Sequence, residues 1–201
     1  VKSEEQAPYV LCFFSSHFTL HTSQAVLIPP KTSGGKRNSD TTMQICLYLT
    51  PELIVSPLEE NTKDGIIREL VLHLAHQKEI SNTDNMLKAI FDREATGSTF
   101  LPSGIAIPHA RIPDVSDIVI TMGVAQEPVK DTTGGDALQA RLFCLFFSPV
   151  HDKEFGRHLK LLARISALFS DTDFIEEISS LEGPKEIFET LQKCERELDE
   201  E

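Results

Sequence analysis

The sequence predicts an α/β protein: a three-layer α/β/α sandwich around a mixed, mainly four-stranded sheet, in the order strand, two helices, three strands, three helices. Short, continuously apolar runs mark the strands, other segments repeat apolar residues at helical spacing, and the two kinds follow one another in that order. A chain of 201 residues that is 40% hydrophobic also has enough apolar material for one sizeable core.

Leu53-Ile54-Val55 is apolar and partly β-branched, and Ser56-Pro57 ends it, so it reads as the first strand. Thr62 is a candidate cap for a helix over 63–77, where Ile66, Ile67, Leu70, Val71 and Leu74 recur at helical spacing. The Ser81-Asn82-Thr83-Asp84 cluster opens a second helix, over 82–93, with Leu87, Ile90 and Phe91 on one side. Gly104–Ile107, Ile118–Val124 and Ala140–Phe147 are apolar without alternation, as expected of strands covered on both faces, and Cys144 falls in that core. Gly134-Gly135 marks the connection between the last two strands. After Pro149, one helical stripe carries Phe155, Leu159, Leu162, Ala163, Ile165 and Phe169, and a second carries Phe174, Ile175 and Ile178. A third helix starts at Gly183-Pro184, where proline suits the first turn.

Residues 1–42 differ in kind. They end in Pro29-Pro30-Lys31-Thr32-Ser33-Gly34-Gly35 and a polar tail, so they are expected to be a disordered N-terminal extension or linker, with the domain spanning 43–201. The apolar stretch from Tyr9 follows Glu4 and Glu5 and stops at Ser15-Ser16-His17, which argues against a signal peptide.

The net charge of −12 argues against nucleic acid as a partner, because phosphate backbones are held by Lys and Arg. No apolar run approaches the ~20 residues of a bilayer span, so direct membrane insertion is not expected. The four cysteines, at 12, 46, 144 and 194, are too scattered for a zinc site or a disulfide scaffold and fit a reducing, cytoplasmic setting. No glycine-rich phosphate or dinucleotide loop occurs, and no cofactor is expected. His73 and His76 lie one turn apart, but nothing in the sequence completes a metal site around them.

His109 follows Gly-Ile-Ala-Ile and a proline, at the end of an expected strand. There a rigid backbone would hold a nucleophilic imidazole. Phosphoryl transfer needs donors around the equatorial oxygens. Arg93, Ser98, Thr99 and His158 are the candidates, since arginine can fork onto two oxygens. Spacing alone leaves ordinary readings open: a surface histidine at 109, a solvated helix end at Arg93, and a packed helix histidine at 158 beside Leu162 and Ile165.

The segment Asp92-Arg93-Glu94-Ala95-Thr96-Gly97-Ser98-Thr99, continuing through Gly104-Ile105-Ala106-Ile107-Pro108-His109-Ala110-Arg111, resembles the active-site signature of phosphotransferase-system enzyme IIA domains of the fructose/mannitol type. The likeness extends over most of residues 50–195, including Phe143–Pro149 and the helix that begins His158-Leu159-Lys160. Ala110, where glycine is common, and Phe100–Ser103 depart from the pattern. The resemblance implies an α/β/α fold with no cofactor or metal. It makes His109 the residue that accepts phosphate from a histidine phosphocarrier protein, His158 an auxiliary histidine and Arg93 a phosphate-stabilising arginine. Ser98 and Thr99 fall in the same motif as phosphate-binding candidates. Within the family the chain is most similar to nitrogen-branch regulatory members. A sugar-specific member that passes phosphate to a IIB component, or a non-catalytic module that binds a regulatory target, are the alternatives.

Overall fold

The computed structural model describes residues 43–131 and 138–200. The strands in chain order are β1 (Ile54–Val55), β2 (Ile105–Ala106), β3 (His109–Ile112), β4 (Val119–Asp131) and β5 (Leu138–Pro149). The helices are α1 (Lys63–Gln77), α2 (Thr83–Glu94), α3 (Asp152–Leu168), α4 (Thr172–Ser180) and α5 (Pro184–Glu200). Two short 3-10 turns, Ile45–Leu47 and Pro51–Leu53, precede β1, so Leu53 belongs to a turn and the first strand is one residue shorter than its apolar run.

The sheet is mixed. β1 runs parallel to β4, β4 antiparallel to β5, and both β2 and β3 parallel to β5. It has five strands where mainly four were expected, and the reason is Pro108. Ala106 lies opposite Phe143 and His109 opposite Phe146, three positions further on in both strands, so β2 and β3 continue in one register. Proline has no N–H to give the ladder, and the strand is divided there although the Pro108 carbonyl still accepts from Phe146 N at 3.1 Å. The predicted strand at 104–107 therefore has a second half that carries His109. β4 also runs beyond the expected 118–124, because Val129, Lys130 and Asp131 rejoin β5 after an irregularity between Val124 and Val129. Gly134-Gly135, expected in this hairpin's connection, lies outside the described residues, as do residues 1–42.

Local chemistry explains the helices. Thr62 Oγ1 accepts from Gly65 N at 3.1 Å and starts α1, whose buried face is Ile66, Ile67, Leu70, Val71, Leu74 and Ala75. Asn82 caps α2, Asp171 caps α4, and Pro184 opens α5. α1 packs on β4, α2 on β3, α3 and α4 on β5, and α5 on the 3-10 turns and β1. Successive residues Leu142–Phe147 of β5 are all fully buried, so this strand is covered on both faces. Gly123 in β4 allows a close approach: a Cβ there would come within 2.8 Å of the Leu58 side chain.

Among the described residues, no helix is long and apolar enough to cross a membrane.

Candidate active site

His109 is the first residue of β3, held in the sheet by pairing with Phe146 of β5. Its ring stacks on the Phe146 ring, with centroids 5.5 Å apart and planes 13° from parallel. Nδ1 lies 2.7 Å from the Ile107 carbonyl. A carbonyl can only accept, so the ring proton sits on Nδ1 and Nε2 keeps its lone pair.

The Ile107 carbonyl is free for this role because of the sheet edge. Ile107 N donates to Thr99 O, and an isolated bridge pairs Phe100 with Ala106, so the 99–101 segment lies antiparallel along β2 and stops before His109. Gly104 makes the reversal between these stretches with φ of +100°, a region that glycine enters without a Cβ penalty.

His158 projects from α3 toward the same place. Its ring centroid is 5.4 Å from that of His109 and 5.1 Å from that of Phe146, and its Nδ1 lies 2.7 Å from Ser148 Oγ. Both imidazoles are buried, at 9% and 6% exposure. Burial pushes the His109 pKa down to about 4, with the Ile107 hydrogen bond opposing and the Arg93 charge assisting the fall. His158 is lowered to about 4 by burial, then by the charges at His109, Arg111 and Arg93. At neutral pH the two rings are uncharged, the form in which imidazole is a nucleophile.

An open pocket of about 460 Å³ exposes these groups, lined by Ala89, Asp92, Arg93, His109, Ala110, Arg111 and His158. Arg93, on the last turn of α2, donates from Nη1 to Thr96 Oγ1 and Gly97 O, at 3.2 and 3.1 Å. Both acceptors are neutral, so neither compensates the guanidinium charge at the pocket wall. Arg93 and His109 line the same pocket.

Of the five residues expected at the site, the pocket gathers His109, His158 and Arg93. Ser98 and Thr99 are engaged elsewhere. Ser98 Oγ accepts from Phe100 N, and the buried Thr99 hydroxyl donates to Glu94 Oε1 at 2.6 Å. Glu94 is in turn paired with Lys63, which also reaches Asp131. The hydroxyl of Thr99 thus anchors the end of α2, while its carbonyl orients Ile107. His73 Nε2 lies against the Glu52 carbonyl, and His151 occupies the N-cap position of α3.

Arg111 was not nominated from the sequence, yet it lines the pocket. It donates to the carbonyls of Pro149, Val150 and His151, and its guanidinium lies 5.1 Å over the Phe155 ring. The signal for it was present: in a strand that continues through His109, residues 109 and 111 share a face. Ending the strand at Ile107 hid that relation.

Comparisons with known proteins bear on this geometry. Residues 47–194 match the family model described as "Phosphoenolpyruvate-dependent sugar phosphotransferase system, EIIA 2". A nitrogen regulatory protein of Bradyrhizobium diazoefficiens is 28% identical over 149 residues, 74% of this chain and 95% of that protein. The fructose-specific EIIABC component of Bacillus subtilis is also 28% identical, over 75% of this chain, but the match spans only 23% of that longer protein. The crystal structure of nitrogen regulatory protein IIA-Ntr from Neisseria meningitidis superimposes with a TM-score of 0.65 at 27% identity, covering 73% of this chain and 98% of that one.

Proposed function

The chain belongs to the EIIA 2 family of the phosphoenolpyruvate-dependent sugar phosphotransferase system, and from that premise we propose that it is a cytoplasmic phosphoryl carrier that takes phosphate onto Nε2 of His109. The observation that carries this reading is the hydrogen bond from Nδ1 to the Ile107 carbonyl. It leaves a neutral imidazole whose free lone pair is at Nε2, on a ring that lines the pocket. The donor is a histidine phosphocarrier protein, and the setting is a regulatory, nitrogen-branch system.

In the transfer, the Nε2 lone pair forms the new P–N bond as the donor's P–N bond breaks, and the donor nitrogen keeps the bonding pair. The Nδ1 proton stays on His109. Positive charge that develops on this ring is stabilised by the Ile107 carbonyl, already aligned 2.7 Å away. Arg93 balances charge on the equatorial oxygens, and His158 supplies a second polar group beside them.

The test is incubation with phosphoenolpyruvate, enzyme I and the phosphocarrier, followed by assay for acid-labile phosphate. Wild-type protein should take label and His109→Ala should not. An unlabelled wild type would sink the carrier reading.

The sugar-specific alternative shares all of this chemistry and differs only in the acceptor. A IIB component that strips the label would favour it, whereas return of label mainly to the phosphocarrier favours the regulatory reading.

A further inference from the structure

Ser148, near the end of β5, has no exposed surface, and its Oγ lies 2.7 Å from His158 Nδ1. Two arrangements fit that distance: Nδ1–H can donate to the hydroxyl oxygen, or the hydroxyl can donate to the Nδ1 lone pair. They differ in the fate of the hydroxyl proton. Among the described residues, Ser148 Oγ has no other hydrogen-bond partner. If Nδ1 were the donor, the hydroxyl proton would be buried without an acceptor, which is the costly arrangement. If the hydroxyl donates, every polar group in the pair is satisfied, and the ring proton of His158 must sit on Nε2.

His109 is set in the opposite sense by the Ile107 carbonyl. The two rings, 5.4 Å apart, thus carry complementary tautomers: His109 keeps a lone pair at Nε2, and His158 keeps an N–H there.

We propose that Ser148 is a positioning residue that fixes the Nε2–H tautomer of His158, so that this ring enters phosphoryl transfer as a neutral hydrogen-bond donor to a phosphoryl oxygen. The proposal rests on the carrier reading of His109. The His158 proton is shared in a hydrogen bond and not transferred, so the P–N bond exchange balances as written above. The opposite tautomer would aim a nitrogen lone pair at an anionic oxygen and repel it.

The experiment is long-range ¹H–¹⁵N correlation spectroscopy of the ¹⁵N-labelled, unphosphorylated full chain at pH 7, which distinguishes imidazole tautomers directly. Wild type should show His109 protonated on Nδ1 and His158 on Nε2. Ser148→Ala should move His158 toward the Nδ1–H form and leave His109 unchanged. A wild-type His158 protonated on Nδ1, or a His158 tautomer indifferent to Ser148→Ala, overturns the proposal. In single-turnover labelling by the phosphorylated phosphocarrier, Ser148→Ala should slow the maximal rate by about tenfold with half-saturation unchanged. An undiminished maximal rate overturns the proposed part in transfer. Correct tautomers in a wild type that takes no label would refute the carrier reading of His109 and leave the tautomer assignment intact.

Discussion

Glu195 on α5 and His109 on β3 are both withdrawn from water, but their surroundings are opposite in kind. The Glu195 carboxylate, 2% exposed, accepts from the backbone N–H groups of Ile45 and Cys46 at 2.7 and 2.9 Å and from Arg164 at 3.4 Å. Arg164 also reaches Asp199, so one guanidinium bridges two carboxylates in a cluster that ties the first described turn to the last helix. Among the described residues His109 has one hydrogen-bond partner, at Nδ1, and its second nitrogen is left over. A buried ionisable group with every partner in place stabilises a fold. One with a partner missing is available for chemistry, and its burial is then a cost that the rest of the fold offsets.

The contrast can be broken by substitution. His109→Gln, which keeps a side chain of similar size on Phe146, should abolish acid-labile labelling while the protein stays folded by circular dichroism. Residual label at wild-type level would show that another residue accepts phosphate. Glu195→Ala should do the reverse. It leaves the N–H groups of Ile45 and Cys46 without their acceptor while Arg164 keeps Asp199, so urea denaturation should report a loss of about 3 kcal/mol, with labelling per folded molecule unchanged. A loss below 1 kcal/mol would mean that Glu195 is not the clamp its contacts describe.

His158 is built like His109, with a partner at Nδ1 and a ring that lines the same pocket. His158→Ala should slow labelling roughly 10²-fold, the scale of losing one pre-organised donor, with phosphate still accepted at long times. Wild-type rates would reduce the residue to packing.

The smallest effect is in pH. Because the folded His109 pKa of about 4 lies below the ordinary 6.5, the unfolded chain binds the extra proton first. The stability from a neutral buried ring is therefore present above pH 6.5 and is lost as pH falls toward 4. Between pH 7 and 5, His109 should account for about 2 kcal/mol of acid destabilisation, and His109→Gln should flatten the urea midpoint across that interval. His158, whose pKa is also lowered to about 4, contributes in the same direction.

Much of this arrangement was legible in the sequence. The α1 boundaries follow from Thr62 and an unbroken apolar period, and β5 from an apolar run that needs cover on both faces. His109, Arg93 and His158 came from a motif whose order in sequence survives as neighbourhood in space. What escaped was set by partners distant in sequence. His109-Ala110-Arg111-Ile112 has no strand-like apolar pattern and becomes a strand only because β5 offers a ladder beyond Pro108. The second half of β4 has exposed residues at 126–128 and joins β5 by skipping them. Thr99 was expected to face phosphate, but its hydroxyl is taken by Glu94, a pairing that no spacing rule reveals. Ser148 looked like the end of a strand until α3 brought His158 against it.

The short bridge between Phe100 and Ala106 has a consequence for the protein's behaviour in crowded solution. An open sheet margin invites strands from other molecules, and β2 with β3 forms such a margin here. Thr99 takes the outward N–H of Ile107 and the His109 ring takes its carbonyl, so neither group is left for a foreign strand. The His109 ring and Thr99 thus occupy both hydrogen-bonding groups of Ile107 at this margin, and concentrated His109→Ala, which frees the carbonyl, is the preparation in which edge-to-edge pairing should first be sought by light scattering.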